Sequence, residues 1–564
     1  MQLRHDARAT RSRPNGPRRT TPWRVGATVV ALGLTAAACS ATTTAGTAST
    51  SAPPGTTLDK IANPNAPKDG QPRDGGTLRF AIEADTNGWN PAVANFALPG
   101  NLVASSVYDP LMKINEKRLL EPYLAESVTP NADATVWTIK ARAGVKFHDG
   151  TPFDGKALFA NFNTRKTSGL GAIALEPIKK EGGVVQIDDM TIQVNMDRPW
   201  AAYDYTLAAQ GGYMAAPRTL DGSDPNPIGT GPFMWDAYTP GKDVKVKKNP
   251  NYWQKGKPHL DGIDFQILGD EKTREQALEA RDIDAMMTEN PVSVAKFRDE
   301  PGYVQAEDLS AEETFVMLNM GAPPFDNAHA RKALAYATDR RTIIDTLTGG
   351  FAHDADQPYI DSEYWFVPDA GYVSFDAAKA KSELDAYLKD SGQTKLSFEL
   401  QGYASPFMTL LTQTLEQQWA AIGVEVKINL TEQASYLQNI IVGKYQAGMF
   451  RNFAYVDPDS NYIFWSKTTA KGLGVLSINF TQLKDDELEA GLDKGRVSTD
   501  RATRKDAYAT VVRRINANVP YLWLFHNLWA IAATDKVGGL KLVQDLGFAR
   551  QDAKPWWGDL YLAA

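Results

Sequence analysis

The sequence predicts an α/β protein built from more than one domain. Its 564 residues exceed what a single hydrophobic core holds. Strand-like and helix-like patterns alternate from Gly75 to the C-terminus, as expected when helices cover sheets. Hydrophobic residues at 43% and charged residues at 23% are ordinary for a folded chain. Gly75-Gly76-Thr77-Leu78-Arg79-Phe80-Ala81-Ile82 reads as a turn into a strand, so the folded part is expected to begin near Gly75. Met408, Leu411, Leu415, Trp419 and Ile422 recur at helical spacing, with Gly423 as a C-terminal stop. Val424, Val426, Ile428 and Leu430 then alternate as a half-buried strand. Tyr508, Val511, Val512 and Ile515 make a second helical stripe, for which Thr499 offers an N-cap. No internal repeat is present.

Residues 1–38 carry seven Arg and one Asp, which leaves −13 of formal charge on the remainder. A body that acidic repels phosphates, which excludes a nucleic-acid partner. Val25 to Ala38 is a 14-residue apolar run, too short to span a bilayer, where about 20 residues are needed. Behind a basic leader it fits the core of a secretory signal. Leu34-Thr35-Ala36-Ala37-Ala38-Cys39 resembles a bacterial lipobox, which implies that Cys39 is lipidated and becomes the mature N-terminus. The competing reading is a plain secretory signal with an incidental cysteine. Arg18-Arg19 leaves the Sec and twin-arginine export routes both open. Cys39 is the only cysteine, so no disulfide forms within the chain. Residues 39–74 are rich in Ser, Thr, Ala and Pro and nearly free of large apolar side chains, which reads as a flexible tether. No later segment is apolar enough to cross a membrane.

Catalytic motifs are absent. The chain has no HExxH, no phosphate-binding loop, no GxSxG and no cysteine beyond Cys39. His148, His259, His329, His353 and His526 are too scattered in sequence for a metal cage. The expectation is a binding protein with no cofactor and no metal, and not an enzyme.

Four blocks carry a resemblance. The first runs from Val107-Tyr108-Asp109-Pro110-Leu111 through Glu121-Pro122-Tyr123-Leu124-Ala125-Glu126-Ser127 and Trp137-Thr138-Ile139 to Val145-Lys146-Phe147-His148-Asp149-Gly150-Thr151-Pro152-Phe153. The second is Pro227-Ile228-Gly229-Thr230-Gly231-Pro232-Phe233 with Lys248-Asn249-Pro250-Asn251-Tyr252-Trp253. The third is Pro324-Phe325-Asp326-Asn327 with Arg331-Lys332-Ala333-Leu334-Ala335-Tyr336-Ala337-Thr338-Asp339-Arg340, and the fourth is Asp457-Pro458-Asp459. In this order they resemble the family 5 extracellular solute-binding proteins of ABC importers. The resemblance implies a two-lobed, type II periplasmic-binding-protein-like fold with an extra subdomain inserted in lobe I. Mapped onto this chain, lobe I is 75–312 with an insertion at about 112–215, lobe II is 313–529, and 530–564 return to lobe I. The blocks themselves read as scaffold, with Gly229-Thr230-Gly231-Pro232 a turn that exploits glycine's backbone freedom. The implied partners are a peptide or other small polar solute and the importer's permease subunits, with a monomer held by its lipid at the outer face of the cytoplasmic membrane. Two other readings stand beside this one: an oligosaccharide-binding member, and a non-transport lipoprotein of the same fold that regulates envelope synthesis.

In peptide-binding members an aspartate three residues before the Asp-Pro motif pairs with the peptide's α-ammonium. Here that position is Ala454, and Arg451 stands where a Trp is common. The exchange of an acid for a base implies weak binding of ordinary peptides and a preference for an anionic or neutral polar solute. Arg451 either forks onto the ligand or pairs with a protein acid such as Asp457. The ligand-binding residues expected on this basis are Arg451, Asn452, Phe453, Tyr455 and Asp457. Tyr403 and Phe407 join them from a lobe II loop, and Asn95 and Phe96 from lobe I. Tyr364-Trp365-Phe366 is a further aromatic loop.

Overall fold

The computed structural model describes residues 63–67, 70–86, 88–94, 96, 98–115, 120–222, 225–308, 312–452, 457–540 and 555–563. Cys39, Asn95, Phe453, Ala454 and Tyr455 lie outside them, and Asn452 is described through its backbone only.

Three large sheets organise the described residues, beside two two-stranded ones. In the first, seven strands run in the order Tyr303–Asp308, Trp529–Thr534, Ala285–Thr288, Thr77–Ile82, Gly262–Ile267, Asp243–Lys248 and Phe233–Thr239. Thr77–Ile82 lies parallel to both of its neighbours, with Leu78 opposite Ile263 and Phe80 opposite Ala285. The second sheet has six strands in the order His353–Asp354, Tyr521–His526, Glu313–Leu318, Ala447–Asn452, Ser397–Tyr403 and Glu425–Thr431. All six positions of Glu313–Leu318 are buried, as befits a central strand covered on both faces. Its side chains alternate: Val316 and Leu318 enter one core, Phe315 and Met317 the other. The third sheet, Ala125–Pro130, Val136–Ala141, Thr191–Asn195 and Val184–Gln186, has a core of its own around Trp137, Ile139, Phe162 and Ile192. We call the bodies built on the first and second sheets lobe I and lobe II, and the third the inserted subdomain.

The chain passes from lobe I to lobe II between Asp308 and Glu313 and returns between His526 and Trp529. The two passages are stitched together. The Asn527 amide donates to the Glu312 carbonyl at 2.7 Å, and the Thr314 hydroxyl to the Asn527 side-chain oxygen at 2.8 Å.

The helix expected from Met408 to Ile422 is observed as Pro406–Ala420, capped by Ser405, and Gly423 has φ 98°. The strand after it is Glu425–Thr431. The long helix near the C-terminus is Arg501–Asn518, and its cap is Asp500, not Thr499. The Asp500 carboxylate accepts from the Thr503 amide at 2.7 Å, one residue nearer the helix than the threonine expected.

Two expectations need correction. Residues ahead of Gly75 are not all tether. The Asn63 side chain donates to the Gln305 carbonyl at 3.1 Å, and Asn65 to the Phe297 carbonyl at 2.9 Å, both in lobe I. Polar amides anchor the described part of this stretch. The glycines of Gly229-Thr230-Gly231 serve close packing rather than an unusual backbone. A Cβ on Gly229 would lie 2.1 Å from the Val107 carbonyl oxygen, and neither glycine has positive φ.

The first two sequence blocks converge on one buried carboxylate. Asp109 accepts from the Thr230 hydroxyl at 3.1 Å, the Tyr252 hydroxyl at 3.0 Å and the Trp253 indole at 2.8 Å. His148 joins the same junction: its Nδ1 accepts from the Gly229 amide at 3.3 Å and its Nε2 lies 3.0 Å from the Gly231 carbonyl. Burial holds this imidazole at about 4, so it is neutral at pH 7 and Nε2 carries the proton. The junction welds the inserted subdomain to lobe I. Among the described residues, no helix is long and apolar enough to cross a membrane.

Candidate functional site between the lobes

In parallel sheets, ligands gather at the carboxyl ends of the strands. The strands Thr77–Ile82 and Ala285–Thr288 are parallel neighbours in lobe I, and each is followed at once by a glutamate, Glu83 and Glu289. In lobe II the parallel neighbours Ser397–Tyr403 and Ala447–Asn452 end on Tyr403 and on Arg451-Asn452. Glu312 sits in the first passage between the lobes.

These strand ends meet. The Arg451 guanidinium lies 3.0 Å from Glu83 and 3.4 Å from Glu312, and forms a third ion pair with Glu289. Its other side faces the Trp529 ring at 5.2 Å. The Trp529 indole nitrogen is buried and has no hydrogen-bond partner among the described residues. The four charged side chains keep 17 to 28% of their surface exposed, so solvent or solute reaches them. Among the described residues, one guanidinium against three carboxylates gives the cluster a formal charge of −2. Tyr403 belongs to the same neighbourhood. Its hydroxyl is pushed up by burial first and then by Glu83 and Glu312, so it keeps its proton and serves as a donor. Behind the cluster, buried His526 lies 3.2 Å from buried Glu313 in the strands that enter and leave lobe II.

Of the residues expected from sequence, this site contains Arg451 and Tyr403. Phe96 does not reach it. It is buried in the lobe I core beside Trp89, with its amide held by the Gln210 side chain at 3.1 Å. Phe407 packs on Phe525 at 6.3 Å in a lobe II core. Trp365 is buried in the other lobe II core, and Tyr364 lies under Arg501 at 3.9 Å.

Asp457 is a correction. It is 1% exposed, and both its oxygens accept from Arg504, at 2.7 and 2.5 Å. It also caps the short helix Pro458–Asn461. A carboxylate so enclosed meets neither a ligand nor Arg451. The acids around Arg451 are Glu83, Glu289 and Glu312, which sequence reading missed. Their one signal was position, directly after a strand of an expected parallel sheet.

Two α/β lobes joined by two passages, with charged residues from both at the crossing, define a two-lobed type II periplasmic binding protein. Residues 120–473 match the middle region of the bacterial extracellular solute-binding proteins, family 5. The chain belongs to that family. It is 25% identical over 492 residues to the glutathione-binding protein GsiB of Pectobacterium atrosepticum, covering 84% of this chain and 93% of that one. The ABC transporter-associated periplasmic binding protein DppA of Helicobacter pylori, in complex with the peptide STSA, superposes with a TM-score of 0.76 at 23% identity, covering 87% of this chain and 99% of that one. The periplasmic binding protein AgaA of A. tumefaciens R10, in complex with agropinic acid, superposes with a TM-score of 0.75 at 24% identity, over the same shares of the two chains. Such different ligands on one fold leave the solute to be read from this chain's own site. These relatives are solute-binding proteins rather than enzymes.

Proposed function

We propose that this protein is the solute receptor of an ABC-type importer, and that its solute is peptide-sized and carries a cationic group. The lobes close over the solute and present it to a membrane permease. One observation supports the choice of charge: among the described residues a single guanidinium from lobe II faces three carboxylates, two from lobe I and one from the passage between the lobes. Charges shielded from water need partners. An ammonium or guanidinium from the solute supplies the missing positive charge when the cleft closes. Touching Glu83 and Glu289 from one side and the lobe II residues from the other, it binds the closed form better than the open one, which is the condition for a ligand to drive closure. Tyr403 then donates to a solute oxygen.

This reading revises the expectation drawn from Ala454. The acid missing there is replaced from other strands, and an anion would have to draw Arg451 away from three carboxylates. Glutathione and short peptides, the ligands in the names of two relatives, both carry a free ammonium. A neutral oligosaccharide would leave the excess charge unmatched, and a role apart from transport explains none of it. The same reading includes a monomer outside the cytoplasmic membrane, held by lipid on Cys39. It is supported by the apolar run that ends at that cysteine and by the absence of any other cysteine.

Calorimetry with free and N-acetylated dipeptides, glutathione and arginine tests the proposal. Free ammonium compounds are expected to bind at least about tenfold tighter than acetylated ones, and Glu83→Gln or Glu289→Gln to lose about tenfold, roughly 1.4 kcal/mol. Equal binding of the acetylated forms would remove the cation from the reading. A protein that binds none of the panel and carries no small molecule through purification would remove the receptor itself.

A further inference from the structure

The Asp-Pro-Asp segment does not line the charge cluster, yet it makes a lobe-to-lobe contact of its own. Its partner is the loop Arg198-Pro199-Trp200-Ala201-Ala202 of the inserted subdomain. The Trp200 indole donates to Asp459 of lobe II at 2.5 Å, and its ring faces the Arg496 guanidinium at 4.9 Å. The Ala201 amide donates to the Arg496 carbonyl at 2.8 Å. On its own side the loop is fixed: the Trp200 amide donates to the Ala134 carbonyl at 3.0 Å, and Trp137 donates to the Trp200 carbonyl at 3.2 Å. The receiving surface is equally set. Asp459 takes two bonds from Arg496, at 2.8 and 3.1 Å, and one from Tyr508 at 3.3 Å. Trp200 is only 2% exposed although it sits on a surface loop of its subdomain. Opening the lobes would expose the indole and strip its N–H of a partner.

The same contact brings two acids together. Asp204, one turn beyond Trp200, faces Asp457 across the interface, and one of its oxygens is buried with no hydrogen-bond partner among the described residues. Arg504 from the helix Arg501–Asn518 also acts on it, and the neighbouring Tyr205 feels Asp204, Asp457, Arg501 and Arg504. Arg504 is already held by both oxygens of Asp457, so it offers Asp204 little.

We infer that Trp200 is a latch that docks on the Asp459–Arg496 pair when the lobes close, and that a proton on Asp204 strengthens the docking. The inference rests on the reading that the lobes open and close around a solute. Burial, and then Asp457, raise Asp204 to about 7 in the docked state. A carboxyl raised on docking favours the docked state at low pH, and the advantage is lost as pH rises through 7. With an ordinary carboxyl pKa when undocked, the docked population relative to the open one grows about tenfold from pH 8 to pH 6.

Amide hydrogen exchange on the solute-free protein tests this, with rates corrected for intrinsic pH dependence. Protection of residues 199–206 and 494–498 is expected to rise together, about tenfold, from pH 8 to pH 6. Trp200→Phe, which keeps an aromatic ring and loses the donor, is expected to lower protection in both segments. Asp204→Asn is expected to hold protection high at both pH values. Unchanged protection of 494–498 in Trp200→Phe would overturn the latch, and a pH dependence that survives Asp204→Asn would overturn the proton's part. Protection of Thr77–Ile82 reports that each variant is folded. Because no solute is added, either result is independent of whether the solute reading holds, and solute binding measured in the same variants is a separate outcome.

Discussion

Two charged clusters lie where the lobes meet, and their arithmetic differs. At the crossing between lobes, Arg451 shares three carboxylates and all four side chains stay partly exposed. At the far contact, Asp457 has Arg504 and Asp459 has Arg496, one for one, and all four are buried. Matched, enclosed charges have nothing left to offer a solute; their work is to shape lobe II. A cluster that is accessible and, among the described residues, holds more carboxylates than cations is where the proposed solute would add its charge. Counting partners therefore separates scaffold from site better than the presence of a charged residue in a motif does.

The largest expected effect breaks the matched side. Asp457→Ala leaves Arg504 buried without its partner, which costs about 3–5 kcal/mol. Chemical denaturation should show it as a large drop in midpoint, and a loss below about 1 kcal/mol would mean that the pair is not structural. Next comes the unmatched side. Arg451→Ala should change stability by about 1 kcal/mol or less, because the pairs are partly exposed. It should tighten binding of an ammonium-bearing dipeptide by about tenfold, since the solute no longer competes with a resident cation. Weaker binding would assign Arg451 to the ligand after all. A third kind of site is the neutral His148, whose effect appears only on acidification. The unfolded imidazole takes up a proton near the ordinary 6.5, the folded one only at about 4. Stability present above pH 6.5 is thus lost as pH falls through that window. Thermal unfolding followed from pH 7 to pH 4 should lose less in His148→Gln than in the parent.

Much of the fold was legible because its signals are local. Period-2 runs such as Val424 to Leu430 and the stripe from Met408 to Trp419 became the elements they resembled, displaced by a residue or two at their ends. Ser405 and Asp500 cap helices through their own side chains, a choice between adjacent candidates that only backbone geometry decides. The site was harder to read, because Glu83, Glu289 and Arg451 are separated by hundreds of residues and meet only once two sheets face each other. Asp457 was misjudged for the same reason. Its partner Arg504 lies on a distant helix, and nothing next to Asp457 in sequence reveals that the carboxylate is already taken.

The junction at His148 has a mechanical consequence. With His148 bonded to Gly229 and Gly231, and the Tyr123 hydroxyl to that of Tyr252, the inserted subdomain is tied to lobe I at several points. It acts as an arm rigidly attached to lobe I, with the inter-lobe crossing as fulcrum and Trp200 at its tip. In the proposed closure, a slight rotation at the fulcrum is amplified along the arm, so the tip would travel farther than the side chains that hold the solute.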